Sequence, residues 1–570
     1  MGVRVTTAGN QPTQEVLRPV LADRYAENAG PQGRPRRGRA AAAYLLAGTA
    51  LFVVYLRLSD TYAVNSDSAN ILLMGQDLLH GNLLLHGWYM SDVSFYPTEL
   101  FQYALLESFL GLHAQTAHVA PAMTYTLVFL LAVMLARSGS SGRAALVRTL
   151  VAAGIMLAPQ FGLGVFALDL SVGHIGTAVP LLLTWLLLDK APRARWVPVL
   201  AAVLLAWVQV ADSIVYIVGI GPLGLACAIR VARGVAKDDG PWRERLALRW
   251  YELSLFVAAA AAAGLAWAAV QIVQALGGYV MNDLPFYFTP WQDLGDNVQA
   301  LWKVLEIFGA NFDGVSGIWF ALALLHLVSV VTVGWALVRV ARKYSRVTLV
   351  NLVLAVAIVL NVVLYLLTNA ADLAAHEVAV IVPFGAALAA RVLVRPAGEQ
   401  ADRAGRFVAS HARPAARGPG RRIRLAALVA KIAVLASYTA GLGYEISQPS
   451  AAPPPDTIVA SWLAAHHLTY GLSGYWTSSS VTVDSGNHVQ VRALRIANLA
   501  PDLWMSKPSW YNPRLHDANF ILLDSQPGNF SLFEPRALIA KDFGASARTY
   551  RFGPFTVLVF DQNLLWHLPR

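Results

Sequence analysis

The chain has 570 residues, of which 56% are hydrophobic and only 14% charged, and its formal net charge is +10. Soluble proteins carry roughly 25% charged residues, so this composition excludes an ordinary soluble protein and indicates one that resides in a bilayer. The basic residues lie in short loops between apolar runs, where they set membrane topology, which argues against a nucleic-acid partner.

The membrane region is predicted to begin after a polar, basic tail, residues 1–40, which is typical of a disordered cytoplasmic segment. About eleven apolar segments follow within residues 41–443, each suited to crossing a hydrocarbon core of about 30 Å. The predicted helices are 41–58, 117–136, 149–168, 175–189, 197–211, 213–230, 251–274, 315–338, 347–368, 377–394 and 425–443. The fold class is therefore a polytopic α-helical membrane protein.

Topology follows from the basic residues of alternate loops. One set of loops, including the N-terminal tail, holds 32 Lys and Arg, whereas the other set holds only Lys303. The positive-inside rule places the first set in the cytoplasm and the second outside. Residues 444–570 then lie outside, as a Pro-rich linker over 444–455 and a small α/β domain over 456–570.

The first outer loop, 59–116, has no Lys or Arg but contains six acids, namely Asp60, Asp67, Asp77, Asp92, Glu99 and Glu107. Ser68–Leu79 has the apolar spacing of an amphipathic helix, which we expect to lie at the membrane surface, and Glu99–Leu110 predicts a second one.

Asp67, a few residues beyond the first helix, suits a general base near the interface, or equally an N-cap of the following helix. Asp92 and Glu99 are candidates for a second carboxylate that orients an acceptor or holds a divalent metal such as Mg²⁺ or Mn²⁺; the alternative is a solvated loop. His86 either positions a substrate or is simply exposed. Arg57, at the outer end of the first helix, either snorkels to the head groups or contacts a lipid phosphate.

The second large outer loop, 274–314, contains Lys303, a candidate phosphate ligand, and several aromatic residues, Trp291 among them. Interfacial aromatics normally form a belt. Together with Trp88 and Tyr89 of the first outer loop, Trp291 is also suited to a sugar-binding platform, and the sequence leaves both interpretations open.

Ionisable residues recur at the outer helix ends, while the helix middles lack charges. Those at the ends are Asp169, His174, Asp212, Asp372, His376 and Glu377. This pattern argues against an ion-coupled transporter, which keeps ionisable residues at mid-membrane depth.

The outer domain is predicted to begin with a helix capped by Asp456 and to contain strands at Val489–Ala493, Asn519–Leu523 and Phe555–Phe560. It has no evident catalytic constellation. We expect it to bind an acceptor or to cover the membrane site.

This organisation resembles the GT-C superfamily of membrane glycosyltransferases, in particular the bacterial group similar to dolichyl-phosphate-mannose mannosyltransferases and aminoarabinose transferases. The resemblance rests on residues 65–70 (NSDSAN) with the helix after them, on 81–88 (GNLLLHGW), and on the Pro-containing segment 376–385 (HEVAVIVPFG). In the C-terminal region it rests on 474–476, 481–486 and 555–560. Many relatives have two adjacent acids where Asp67 stands alone, and an Arg-Tyr pair where Ala375-His376 stands.

The resemblance implies a plasma-membrane enzyme that moves a hexose or pentose, with inversion, from a polyprenyl-phosphate donor to an outer glycan, lipid or protein. Asp67 would be the general base, and Asp92, Glu99 and His86 would support the acceptor or a metal. Arg57 or Lys303 would contact the donor phosphate. Two alternatives stay open: a non-catalytic envelope-assembly or recognition protein of the same fold, and a lipid or polymer transporter.

Overall fold

The computed structural model describes residues 33–159, 173–237, 240–282, 286–372, 375–394, 421–449, 455–525 and 532–569. The chain divides into two units, Met1–Leu51 and Phe52–Arg570. All contacts described below lie within the second unit. Most of the predicted N-terminal tail lies outside the described residues.

Each predicted membrane segment contains a helix. In chain order these helices are Gly33–Ser59, Ala114–Arg137, Gly142–Met156, Ala178–Lys190, Val197–Ala211, Gly221–Lys237, Trp250–Ala275, Gly317–Lys343, Leu349–Leu367, Ile381–Leu393 and Arg421–Ser447. Among the described residues, 7 helices are long and apolar enough to cross a membrane, by length and composition. The second half of the predicted segment 149–168 lies outside the described residues. The polytopic helical fold is thus confirmed.

Basic residues occupy the last turn of several of these helices. They are Arg137, Lys190, Lys237, Lys343 and Arg391. A cation in a last turn interacts favourably with the negative end of the helix dipole. These are also the ends that the positive-inside rule assigns to the cytoplasm.

Small residues allow the membrane helices to approach closely. The helix Trp250–Ala275 packs against Val197–Ala211, and its buried residues include Ala258, Ala259 and Ala262. Close packing of small side chains is a main source of helix association in lipid, because burial from water contributes little there.

The first outer loop forms the helices Ser66–Leu79 and Glu99–Leu110, close to the predicted bounds. Asn65 is the N-cap of the first, since its side chain accepts a hydrogen bond from the Ser68 amide at 3.0 Å. This assigns to Asn65 the cap that the sequence offered to Asp67. The predicted amphipathic surface helix is also corrected: most of Ser66–Leu79 is buried, because it packs against Glu99–Leu110 on one side and a C-terminal helix, Tyr475–Asp484, on another.

The C-terminal domain contains a five-stranded sheet with the strand order β2-β1-β3-β5-β4. The strands are β1 Tyr470–Ser473, β2 Gln490–Ala493, β3 Phe520–Asp524, β4 Arg548–Phe552 and β5 Phe555–Val559. β1 pairs in parallel with β2 and β3, whereas β5 is antiparallel to β3 and β4. The domain's helices are Pro455–Ala465, Tyr475–Asp484 and Arg536–Phe543. The strands predicted near residues 489, 519 and 555 are all present.

The C-terminal domain is attached to the first outer loop through Asp77. This carboxylate forms an ion pair with Lys507 of the C-terminal domain and accepts a hydrogen bond from Trp88 Nε1 at 2.8 Å. Nearby, the Asn282 amide donates to the Met90 and Leu503 carbonyls, at 2.5 and 3.1 Å. The domain therefore sits directly on the loop that carries the predicted base.

Candidate functional site

The centre of the candidate site is His174, which lies between two carboxylates. Its Nδ1 is 2.8 Å from Asp212 Oδ2 and its Nε2 is 3.1 Å from Glu377 Oε2. The imidazole is buried, at 4% exposure. Because a carboxylate faces each ring nitrogen, the ring is suited to carry a proton on both and to act as an imidazolium.

The local fold fixes Asp212 at the end of the helix Val197–Ala211. One of its oxygens accepts a hydrogen bond from the Ile214 amide at 3.0 Å, the local turn that Asp favours. The other accepts from the Thr177 hydroxyl at 2.5 Å as well as from His174. Asp212 is thereby held in one orientation by backbone and side chain together.

His376 and Glu377 lie in a short 3₁₀ turn, Ala375–Val378, just before the helix Ile381–Leu393. His376 Nε2 is 3.7 Å from Glu377 Oε1, and the His174 and His376 ring centroids are 5.7 Å apart. The helix Ala300–Ile307 of the second outer loop packs against this turn. Two histidines and two carboxylates thus meet from three separate segments.

Two acids of the first outer loop complete what we call the acidic cluster: Asp92, Glu99, His174, Asp212, His376 and Glu377. Burial raises the pKa of Asp92 to about 6; the charge of His174 opposes this, and those of Glu377 and Asp212 add to it. Burial likewise raises the pKa of Glu99 to about 7, against the hydrogen bond from Thr98. Glu99 also contacts the backbone at Gly176, where any side chain would collide with its carboxylate.

The electrostatic balance of the cluster favours binding of positive charge. Burial lowers the pKa of His174, but Asp212 and Glu377 outweigh burial, so its pKa lies well above the usual range. Asp212 and Glu377 contact this imidazolium, and Asp92 and Glu99 interact with it electrostatically. Such a site can take up a cation or hold polar hydroxyl donors, and its perturbed groups are typical of functional sites.

A divalent metal is one cation that fits. His174, His376 and Glu377 each offer a ligand atom, and these atoms lie within 4.8 Å of one another. His376 Nδ1 is buried with no hydrogen-bond partner among the described residues. Imidazole and carboxylate together suit Zn²⁺ or Mn²⁺ better than Mg²⁺, which prefers an all-oxygen shell.

The structure brings together two of the predicted site residues, Asp92 and Glu99, since both interact electrostatically with His174. Asp67 is half-buried and accepts a hydrogen bond from the Tyr475 hydroxyl at 2.6 Å. No described contact links Asp67 to the acidic cluster.

The predicted phosphate and substrate ligands have other partners in this structure. Arg57 donates to the Ile446 and Gln448 carbonyls, at 3.2 and 2.9 Å, at the end of the helix Arg421–Ser447. The charge of Lys303 acts on Glu306, where it opposes the rise in pKa that burial causes. His86 is exposed, and its Nδ1 lies 2.7 Å from the Gly277 carbonyl.

The three residues of the predicted sugar platform differ in exposure. Trp88 is a core residue with 1% exposure, packed edge-on against Trp510, which corrects its assignment to the platform. Tyr89 is half-buried, and its backbone pairs with Ser506. Trp291 is 89% exposed. Only Tyr89 and Trp291 therefore retain ring surface that a sugar could reach.

Sequence reasoning did not assign His174, Asp212, His376 and Glu377 to a site. The sequence did contain a pattern that could have found them, because all four stand at helix ends that the loop charges predict to be on the outer side. Two other residues share that pattern. Asp169 lies outside the described residues, and the side chain of Asp372 is not described.

No protein-family model and no curated protein sequence matches the chain. Among solved structures, it is similar to ArnT from Cupriavidus metallidurans bound to undecaprenyl phosphate, with a TM-score of 0.52 and 15% identity, over 93% of this chain and 100% of that one. The apo structure of the same protein gives a TM-score of 0.52 and 14% identity, with the same coverage. The likeness is one of fold, so the polytopic helical fold with a C-terminal domain that the resemblance implied is confirmed.

Proposed function

We propose that this chain is a membrane glycosyltransferase that moves a sugar from a polyprenyl-phosphate donor to an acceptor outside the cytoplasm. The observation that supports this best is the acidic cluster, built at the outer ends of helices in a fold shared with a structure that binds undecaprenyl phosphate. A buried group of carboxyls with perturbed pKa values is suited to binding hydroxyl groups and stabilising positive charge in a transition state.

The orientation is part of the proposal. The 32-to-one distribution of Lys and Arg supports a location of the acidic cluster and the C-terminal domain on the outer face of a bacterial plasma membrane. A lipid-linked sugar presents its head group at that face. The acceptor, a glycan, lipid or protein, would approach from the outer side under the C-terminal domain.

In the proposed reaction, the acceptor hydroxyl gives its proton to Asp67 while its oxygen attacks the anomeric carbon. The bond from that carbon to the phosphate oxygen breaks, and its electron pair leaves with the polyprenyl phosphate. Attack opposite the leaving group inverts the anomeric configuration. Asp67 suits this role because it is half-buried and burial raises its pKa, which makes its carboxylate a better base.

A second candidate for the base is Asp92. Its place in the acidic cluster and its pKa of about 6 favour it, because that pKa leaves it ionised at neutral pH while keeping useful basicity. Glu99, with a pKa of about 7, is suited to donate a hydrogen bond to the acceptor or the sugar. In either case an ionised carboxylate stabilises the oxocarbenium-like transition state.

The donor phosphate would be bound by Arg57, at the end of the first helix, or by Lys303, in the second outer loop. Arg57 donates to two carbonyls, so a phosphate would compete with these bonds for the guanidinium. Tyr89 and Trp291 remain the candidates for contact with the sugar ring, and His86 for acceptor support.

A divalent metal is the proposed cofactor, held by His174, His376 and Glu377. It would bind only the form of His174 that has released one ring proton, because a ligating imidazole nitrogen must be deprotonated. When bound, it would supply positive charge that neutralises a phosphate or polarises an acceptor oxygen. Of the two metals that the sequence suggested, Mn²⁺ fits the two imidazoles better than Mg²⁺.

Metal binding is tested directly by titrating Mn²⁺ into the purified full chain in nanodiscs and measuring free Mn²⁺ by electron paramagnetic resonance. We expect one bound ion, and affinity at least about tenfold weaker in His376→Ala, which removes one ligand. His466→Ala, which changes an exposed histidine of the C-terminal domain, is the matched control. Equal binding by the His376 variant and the wild type would remove the metal from the proposal.

The function itself is tested by incubating the full chain in nanodiscs with a panel of polyprenyl-phosphate hexoses and pentoses, with and without envelope acceptors. Release of polyprenyl phosphate and a glycosylated product from at least one donor is expected. A panel that yields no turnover, with protein that is folded and binds a donor, favours the non-catalytic alternative. Movement of intact donor across the bilayer without release of polyprenyl phosphate favours the transporter.

A further inference from the structure

A chain of hydrogen bonds connects the C-terminal domain to Asp67. The Tyr475 hydroxyl donates to Asp67 Oδ1 at 2.6 Å, and the Asn70 amide donates to the Tyr475 hydroxyl at 3.3 Å. The Ser479 hydroxyl in turn donates to Asn70 Oδ1 at 2.6 Å. Side chains from two helices thus alternate along one network.

The surroundings of Tyr475 hold its ring in place. Ser66, just before Asp67, donates its hydroxyl to the Tyr475 and Trp476 carbonyls, both at 2.7 Å. The Tyr475 hydroxyl also contacts Met505 Sδ at 3.6 Å. Gly474, before Tyr475, lies against Phe533, where an added side chain would be too close at 2.8 Å. The helix Tyr475–Asp484 is therefore fixed where it presents its first side chain to Asp67.

We propose that Tyr475 is a positioning residue for Asp67, so that the C-terminal domain completes the catalytic site rather than only covering it. This inference rests on the proposed function, in which Asp67 is the general base. The geometry supports it, because the Tyr475 hydroxyl donates to Asp67 Oδ1 and thereby orients the carboxylate. Among the described contacts, no hydrogen bond is assigned to the other carboxylate oxygen.

The hydrogen bond also affects when Asp67 is ionised. Burial raises the pKa of Asp67, and the Tyr475 hydrogen bond lowers it. Tyr475 is the titratable group that contacts Asp67, and Asp502 is a second acid that interacts electrostatically with Tyr475. A base is active only when ionised, so loss of the Tyr475 hydroxyl should move the acidic limb of the activity profile to higher pH.

The experiment is a pH profile of donor turnover for the full chain in nanodiscs, comparing the wild type with Tyr475→Phe. We expect the acidic limb of Tyr475→Phe to lie about one pH unit higher, because a hydrogen bond to a charged group is lost. Tyr470→Phe is the matched control: its hydroxyl donates to the Trp510 carbonyl at 2.6 Å, in the same domain. Its limb should coincide with that of the wild type.

Ser479→Ala is a second variant that alters the network without touching Asp67 or Tyr475. We expect a shift of its limb in the same direction as that of Tyr475→Phe but smaller, and it decides the question if Tyr475→Phe does not fold. If folded Tyr475→Phe and Ser479→Ala both keep the acidic limb of the wild-type activity profile while Asp67→Asn is inactive, the positioning role is overturned and the proposed function remains intact. Full activity of Asp67→Asn would instead remove Asp67 as the base.

Discussion

Asp67→Asn should reduce sugar transfer by about 10²–10⁴-fold while leaving the protein folded. A general base contributes about this much to catalysis, and an amide cannot take up the acceptor's proton. The variant keeps the shape of the side chain and an oxygen that can still accept the Tyr475 hydrogen bond, so the contact between the two domains survives. The measurement is initial release of polyprenyl phosphate at saturating donor, together with the thermal unfolding midpoint.

Asp60→Asn provides the matched control for this prediction. Asp60 belongs to the same acidic loop, its described side-chain partner is Gln115, at 3.2 Å, and no described contact links it to the acidic cluster. We expect its activity to equal that of the wild type. If Asp67→Asn keeps wild-type activity while Asp92→Asn loses it, the base is Asp92 and the carry-over from the family resemblance is wrong at this position.

His174→Ala should abolish transfer and also destabilise the fold. The imidazolium is the positive charge between Asp212 and Glu377, at 2.8 and 3.1 Å, and its removal leaves two buried carboxylates without their partner. Breaking a buried charged pair in this way costs about 3–5 kcal/mol. A lowered thermal unfolding midpoint, followed by tryptophan fluorescence in nanodiscs, is the expected readout alongside loss of activity.

The control for His174→Ala is His466→Ala, which changes an exposed histidine. It should leave both stability and turnover unchanged. A His174→Ala protein with the unfolding midpoint and turnover of the wild type would show that the acidic cluster neither supports the fold nor acts in transfer.

The membrane architecture was predictable from sequence because hydropathy and charge act locally. A stretch such as residues 251–274 must cross the bilayer whatever surrounds it, and helix Trp250–Ala275 occupies that position. Likewise the apolar spacing of residues 68–79 predicted a helix, which the structure extends to Ser66–Leu79. What periodicity did not reveal is that both sides of that helix are covered, since the second cover comes from Tyr475–Asp484, far along the chain.

The acidic cluster was only partly predictable for the same reason. Asp92 and Glu99 attracted attention because they share one loop without bases, whereas His174, Asp212 and Glu377 come from three distant helix ends. Their convergence is decided by how the helices pack, which no local pattern encodes. Trp88 shows the converse: an aromatic residue in an outer loop suggested a sugar platform, but long-range packing against Trp510 buries it.

The two missed strands have simple physical reasons. β1, Tyr470–Ser473, has four residues and contains a glycine, so it is too short to show alternation. β4, Arg548–Phe552, is an edge strand with mostly exposed side chains and two arginines, which resembles a loop in composition. Both strands acquire their structure from neighbouring strands rather than from their own sequence.

The most direct test of the central claim compares the wild-type chain with the Asp67→Asn/Asp92→Asn double variant in identical nanodiscs. The donor is the polyprenyl-phosphate sugar that the panel identifies, and the quantity measured is polyprenyl phosphate released together with glycosylated acceptor. We expect both products from the wild type in equal amounts and neither from the folded double variant. Equal product formation by the two proteins would contradict the assignment of transfer to the carboxylates of the first outer loop.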